Sequence, residues 1–167
     1  WKHVLAFGHH RLVRAFVGTL KEDAPALIAL IPVFAAALST CTIRLFLPGP
    51  PGKGKTYTRA ALVLAMLYVD PDIRILWLAE SNAPLVDFIR SVRKLVGVNS
   101  PALQAIARLP GQKAAEDTSL LLDIQIQDIT TKRVVAVTCG NASKEISRGD
   151  TLSQWISKVA VVIMDEA

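Results

Sequence analysis

Cysteine is scarce in this chain of 167 residues, which has only Cys41 and Cys139 and no C-x-x-C spacing. Two cysteines so far apart cannot build a disulfide framework, and without a C-x-x-C pair they make no zinc site of the usual spacing. The three histidines, His3, His9 and His10, have no metal-ligand spacing with carboxylates or cysteines. The sequence therefore excludes a disulfide scaffold and favours a reducing intracellular compartment, either nucleus or cytoplasm.

Long apolar runs are absent as well. The longest, residues 24–38, contains Pro25 and Pro32 and is shorter than the roughly 18 to 20 apolar residues that a membrane-spanning helix needs. The chain begins at Trp1, without the basic, apolar and small-residue order of a secretory signal. We therefore expect this run to be buried core and expect no membrane partner.

What the chain does have is enough apolar content for one core. Hydrophobic residues make up 51% of it, which at this length predicts about one domain. Residues 1–38 are expected to form a helical segment, and residues 39–167 an α/β domain. The formal net charge of +5 fits a polyanionic partner such as nucleic acid, although nucleotide phosphates alone would account for part of it.

One segment, residues 49–56, fills every fixed position of the phosphate-loop pattern G-x-x-x-x-G-K-[ST]. It consists of Gly49, Pro50, Pro51, Gly52, Lys53, Gly54, Lys55 and Thr56. The glycines let backbone N–H groups face a phosphate at a helix N-terminus. Lys55 can reach the β- and γ-phosphates, and the Thr56 hydroxyl can bind magnesium. The segment predicts binding of a nucleoside triphosphate, ATP, together with Mg²⁺.

The surrounding sequence gives this loop the context it requires. An apolar run over residues 42–47 predicts a buried strand before it, and residues 73–79 predict a second strand. Apolar residues at helical spacing predict a helix after each strand; they are Leu62, Ala65, Met66 and Val69 in the first and Leu85, Phe88, Ile89, Val92 and Val96 in the second. A β-α-β-α order implies a mostly parallel sheet.

The later part of the chain is less regular. Residues 99–118 are interpreted as a polar break, and residues 122–126 and 133–138 as a hairpin or two sequential strands. The run over residues 159–164 is apolar throughout, which is typical of a central parallel strand covered on both faces. Trp77 is expected in the core.

Two acidic residues, Asp165 and Glu166, follow that last run. At the carboxyl end of a strand, Asp165 can hold the magnesium opposite Thr56, and Glu166 can orient or deprotonate the attacking water. Such boundaries commonly carry an acidic residue for no catalytic reason, but the phosphate loop favours the functional interpretation. Because the sequence stops at Ala167, we expect an ATPase core cut short, which binds nucleotide but hydrolyses it very poorly alone.

The pair Ser81 and Asn82 follows the second strand and precedes Pro84. It can cap the next helix, or it can donate hydrogen bonds to a nucleic-acid backbone that crosses the strand ends. On that helix Arg90, Arg93 and Lys94 are expected to form a solvated face rather than a phosphate track.

Together these motifs resemble those of superfamily 1 helicases, in the branch that includes the nonsense-mediated-decay RNA helicase and senataxin. Residues 49–56 are similar to that branch's G-P-P-G-T-G-K-T, with Lys53 in place of threonine. Residues 79–87 resemble its motif A-x-[ST]-N-x-A-V-D with one residue more. Residues 135–139 are similar to the strand and threonine before motif II, and residues 165–167 to its D-E-A-x-Q.

The resemblance implies a three-layer RecA-like first motor domain that binds ATP and Mg²⁺ and moves along single-stranded DNA or RNA. It implies that Lys55 and Glu166 are catalytic and that Ser81, Asn82 and Thr138 contact nucleic acid. A second RecA-like domain, absent from this chain, would be its partner. The family's adenine-reading glutamine has no counterpart in residues 25–48, which leaves adenine selectivity open.

Two other interpretations stay open. ATPases of the AAA+ class share the loop and the acidic strand end, but Asp165 follows Lys55 by 110 positions, about twice the interval expected there. The Ser81–Asn82 pair is also foreign to that class. The chain could instead be a non-catalytic nucleotide-binding module that mediates interactions. This interpretation rests on the same residues as the helicase interpretation.

Overall fold

The computed structural model describes residues 54–109, 129–149 and 151–165. Its helices are α1 (Lys55–Val69), α2 (Asn82–Val96), α3 (Pro101–Gln104), α4 (Cys139–Arg148) and α5 (Thr151–Ile156). Its strands are β1 (Ile75–Ala79), β2 (Ile106–Arg108), β3 (Val134–Thr138) and β4 (Val161–Asp165). The helical segment predicted over residues 1–38, the strand over 42–47 and the first hairpin arm over 122–126 lie outside the described residues.

The four described strands form one sheet in the order β2-β3-β1-β4, and every pairing is parallel. The register places Ala79 of β1 opposite both Thr138 of β3 and Asp165 of β4. The carboxyl ends of these strands therefore meet at one side of the sheet, which we call the carboxyl edge. The α/β class and the parallel sheet predicted from the sequence are confirmed.

Apolar side chains bury both faces of this sheet because successive residues of a strand point to opposite sides. On one face Ile75 and Trp77 pack with helices α1 and α2, and the Trp77 ring stacks on Phe88 with centroids 3.9 Å apart. On the other face Leu76 packs in a cluster that includes Trp155 of α5. The sheet is thus sandwiched between two helical layers.

Helix α2 follows the predicted apolar periodicity, whereas α1 is buried on all sides over its middle turns and its predicted core residue Val69 is half-buried. Residues 60–67 of α1 are all buried, and the helix ends before Asp70, where Asp70-Pro71-Asp72 stops the pattern. In α2 the buried side chains lie on one face; they are Leu85, Val86, Phe88, Ile89, Val92 and Leu95. Val96, predicted for that face, is half-buried at the last turn. Trp77 lies in the core, as predicted.

Two expectations about the later elements were wrong. The predicted polar break contains the short helix α3 and the strand β2, which pairs with β3. Strand β4 is not covered on both faces, because Val162 is 55% exposed and Met164 is 60% exposed. Within the described sheet β4 is the outermost strand and has β1 on one side, so Val162 and Met164 lie beyond the described helices that cover β1 and β3.

Candidate functional site

The N-terminus of α1 lies where the predicted phosphate loop ends. Gly54 precedes the helix with φ 75° and ψ 18°, a left-handed conformation that glycine adopts without steric cost. Its carbonyl accepts a hydrogen bond from the Thr58 N–H at 2.8 Å, so the helix begins directly after it. Lys55, half-buried, is the first helical residue. The other loop residues, 49–53, lie outside the described part of the chain.

The structure brings Thr56 and Asp165 together. The Thr56 hydroxyl donates to Asp165 Oδ2 at 3.1 Å, although 109 positions separate the two residues. Asp165 is the last residue of β4, and its side chain is only 3% exposed. The parallel sheet explains the meeting, because it directs the end of β4 toward the N-terminus of α1. The neighbouring Glu166, predicted as the base, lies outside the described residues.

A third side chain joins this pair, and the sequence did not predict it. Arg59 Nη1 donates a hydrogen bond to Asp165 Oδ1 in an ion pair that is largely buried. Arg59 lies three positions after Thr56 in α1, a spacing that places two side chains on the same helical face. That spacing was the only signal for Arg59 in the sequence, because the phosphate-loop pattern has no fixed position at residue 59.

The donor set suits a magnesium ion bound together with phosphate. A hydroxyl and a carboxylate are hard oxygen ligands, and Mg²⁺ in proteins is usually held by one or two carboxylates plus substrate phosphates. The described ranges contain no cluster of three or more His, Cys, Asp or Glu side chains, so an all-protein cage is not formed there. Thr56 and Asp165 therefore fit the metal predicted from the sequence.

The three residues predicted to contact nucleic acid all lie at the carboxyl edge. Thr138 caps α4, because its hydroxyl accepts a hydrogen bond from the Asn141 N–H at 3.4 Å. Ser81 occupies the N-cap position of α2, but its side chain makes no capping hydrogen bond and is exposed. Capping thus accounts for the Thr138 side chain and not for that of Ser81.

Asn82 contacts a buried arginine that the sequence analysis did not single out. Arg108, the last residue of β2, is 1% exposed, and its Nη2 donates to Asn82 Oδ1 at 3.1 Å. A guanidinium only donates hydrogen bonds, so the amide oxygen must face it and the amide NH₂ must face the other way. Arg108 fixes which end of the Asn82 side chain is available to a ligand.

Comparison of the chain with protein-family models, with curated proteins and with solved structures gives no match. None of the helices in the described ranges is both long and apolar enough to cross a membrane.

Proposed function

We propose that this chain is the ATP-binding motor domain of a nucleic-acid helicase, a RecA-like phosphate-loop domain that couples ATP hydrolysis to movement along single-stranded DNA or RNA. The observation that carries the proposal is the hydrogen bond between Thr56 and Asp165. The first belongs to the phosphate-loop pattern and the second to the acidic strand end. A chance glycine-rich turn and a chance acidic boundary would have no reason to meet.

Each residue has a defined task in this proposal. Lys55 binds the β- and γ-phosphates, and Thr56 and Asp165 hold the metal beside them. When bound, Mg²⁺ would supply positive charge that offsets the negative charge of the phosphate oxygens during transfer of the γ-phosphoryl group from ADP to water. Glu166 orients the attacking water and accepts its proton. The start of α1 contributes backbone N–H groups, which stabilise the negative charge of the phosphates.

The nucleic-acid part of the proposal is supported by position. Ser81, Asn82 and Thr138 lie at the carboxyl edge, on the same side of the sheet as Asp165. In open parallel sheets, ligands bind outside the carboxyl ends of the strands. Hydroxyl and amide groups there can donate to a sugar-phosphate backbone, and such contacts position a strand without reading its sequence. Neither DNA nor RNA is favoured by them.

The test is nucleotide binding by the whole chain, measured with a fluorescent ATP analogue and Mg²⁺. Lys55→Ala should weaken binding by about a hundredfold, because it removes the charge that faces the phosphates. Lys144→Ala is the matched control, since Lys144 is exposed on α4, on the other helical layer. Equal affinities for the wild type and Lys55→Ala would contradict the proposal.

Turnover then separates the helicase from its rivals. ATP hydrolysis stimulated by single-stranded DNA or RNA, and lost in Glu166→Gln, is the result expected of the complete motor. Binding that is never accompanied by turnover would favour a non-catalytic interaction module. Turnover that no nucleic acid stimulates would favour an AAA+ type ATPase.

A further inference from the structure

Both oxygens of the Asp165 carboxylate are engaged by helix α1. Oδ2 accepts from the Thr56 hydroxyl at 3.1 Å, and Oδ1 accepts from Arg59 Nη1. The Arg59 side chain is 14% exposed and the Asp165 side chain is 3% exposed, so the ion pair is poorly screened by water. The carboxylate that would hold a magnesium ion is thus already neutralised by a cation of the chain itself.

A divalent ion and this guanidinium cannot share the carboxylate without cost. Arginine stays protonated under all ordinary conditions, so it cannot relieve the conflict by losing its charge. A positive charge a few ångströms from a divalent cation is strongly unfavourable where the effective dielectric constant is low. Metal entry therefore requires Arg59 to leave Oδ1, or the metal binds weakly beside it.

We propose that Arg59 is a competing internal cation that holds Asp165 in the metal-free protein and weakens the binding of the divalent ion that accompanies the nucleotide. This proposal rests on the proposed function, because it assumes that Thr56 and Asp165 bind that ion. Arg59 acts as a positioning residue, which keeps Asp165 in place beside Thr56 until metal and nucleotide arrive.

The experiment measures how much a metal improves nucleotide binding. A fluorescent ADP analogue is titrated into the whole chain with and without Mn²⁺, and the ratio of the two dissociation constants is compared between variants. In Arg59→Met this ratio should be larger than in the wild type by about tenfold or more, because the competing charge is gone. Arg59→Lys, which retains a charge, should stay near the wild type.

Arg90→Met is the control. Arg90 also pairs with a carboxylate, that of Asp87 at 3.5 Å, but both side chains are more than half exposed on α2. Its ratio should equal that of the wild type. Electron paramagnetic resonance of the bound Mn²⁺ provides a second readout, in which Arg59→Met should hold more metal at the same free concentration.

The outcomes distinguish the two proposals. A wild type that binds ADP with a Mn²⁺ effect, and an Arg59→Met variant whose ratio is no larger, would overturn the role of Arg59 alone. A folded wild type that binds neither ligand would overturn the proposed function and this inference with it. If Arg59→Met fails to fold without metal, recovery of its folding by Mn²⁺ with ADP supports the competition. If these ligands do not restore its folding, Arg59→Gln is measured instead. A ratio for Arg59→Gln no larger than that of the wild type would then show that the inference is wrong.

Discussion

Among individual residues, the contact between Asn82 and Arg108 allows a sharp test. Asn82→Asp keeps an oxygen facing the buried guanidinium and gives it a negative charge, which strengthens the hydrogen bond. The new carboxylate also lies at the first position of α2, where the helix dipole favours negative charge. We expect the free energy of unfolding in urea to rise by about 1 kcal/mol.

Asn99→Asp is the control, because Asn99 is exposed in the turn after α2 and should leave stability unchanged. The same Asn82→Asp variant should bind single-stranded nucleic acid more weakly, since the amide donor is replaced by an anion that repels phosphate. A loss of stability in Asn82→Asp would show that the arginine contact does not govern this position.

The two arginines of the site show where the sequence falls short at this scale. Thr56 and Asp165 were predicted to meet because each occupies a fixed motif position and the parallel topology carries both to one edge. Arg59 and Arg108 occupy no fixed position, and arginine is usually exposed, so only the spacing of Arg59 from Thr56 distinguishes either of them from Arg90. Their burial depends on side-chain packing between elements distant in sequence, which local patterns do not encode.

At the scale of elements, Arg133, which precedes β3, binds the C-terminal end of α1. Arg133 Nη2 donates to the carbonyl oxygens of Leu67 at 2.8 Å and Asp70 at 2.6 Å. A cation at this end satisfies carbonyls that the helix leaves without partners and complements its dipole. Arg133→Met should therefore lower the free energy of unfolding by about 1–3 kcal/mol in urea denaturation.

Lys132→Met is the matched comparison for this prediction. Lys132 Nζ also donates to a backbone carbonyl, that of Gln104 at 2.8 Å, but this is a single exposed contact, whereas Arg133 makes two and its contact with Leu67 is partly buried. Its removal should cost less than about 1 kcal/mol. Both variants should retain nucleotide affinity, because these contacts lie at the end of the sheet opposite the carboxyl edge. If Arg133→Met lowers the free energy of unfolding no more than Lys132→Met does, the Arg133 contacts do not stabilise the C-terminal end of α1.

Element length explains which parts of the fold could be predicted. Helices α1 and α2 have 15 residues each, long enough for apolar residues at helical spacing to be recognised, β1 is an apolar run of five, and β3 has four apolar residues followed by Thr138. Helix α3 has four residues and β2 has three, too few to show a period. Strand β2 forms through pairing with β3, and both the Arg133 and Val134 N–H groups bond to the Ala105 carbonyl. That pairing is a contact between segments distant in sequence, so the local polar composition wrongly predicted a break without a strand.

For the whole molecule, the net charge of +5 fits a nucleic-acid partner but does not locate it. The sheet topology is more specific, because the parallel strands carry polar side chains from distant segments to one edge. Exposure of β4 shows the limit of the sequence at this scale. An entirely apolar run predicted burial on both faces, whereas the position of a strand within its sheet decides how much of it is covered.

If the carboxyl edge binds nucleic acid, substitution of Ser81 should weaken that binding. Its exposed hydroxyl caps nothing, so Ser81→Ala should leave the stability of the fold nearly unchanged. If a single strand crosses this edge, losing one backbone contact should weaken binding of a fluorescent oligonucleotide by roughly threefold to tenfold at fixed salt.

Ser91→Ala is the control from the same helix, because the Ser91 hydroxyl donates to the Asp87 carbonyl at 2.7 Å within α2. Affinity for the ADP analogue should be the same in both variants, since neither residue contacts the Thr56–Asp165 pair. Oligonucleotide affinities that do not differ between Ser81→Ala and Ser91→Ala would place the strand elsewhere.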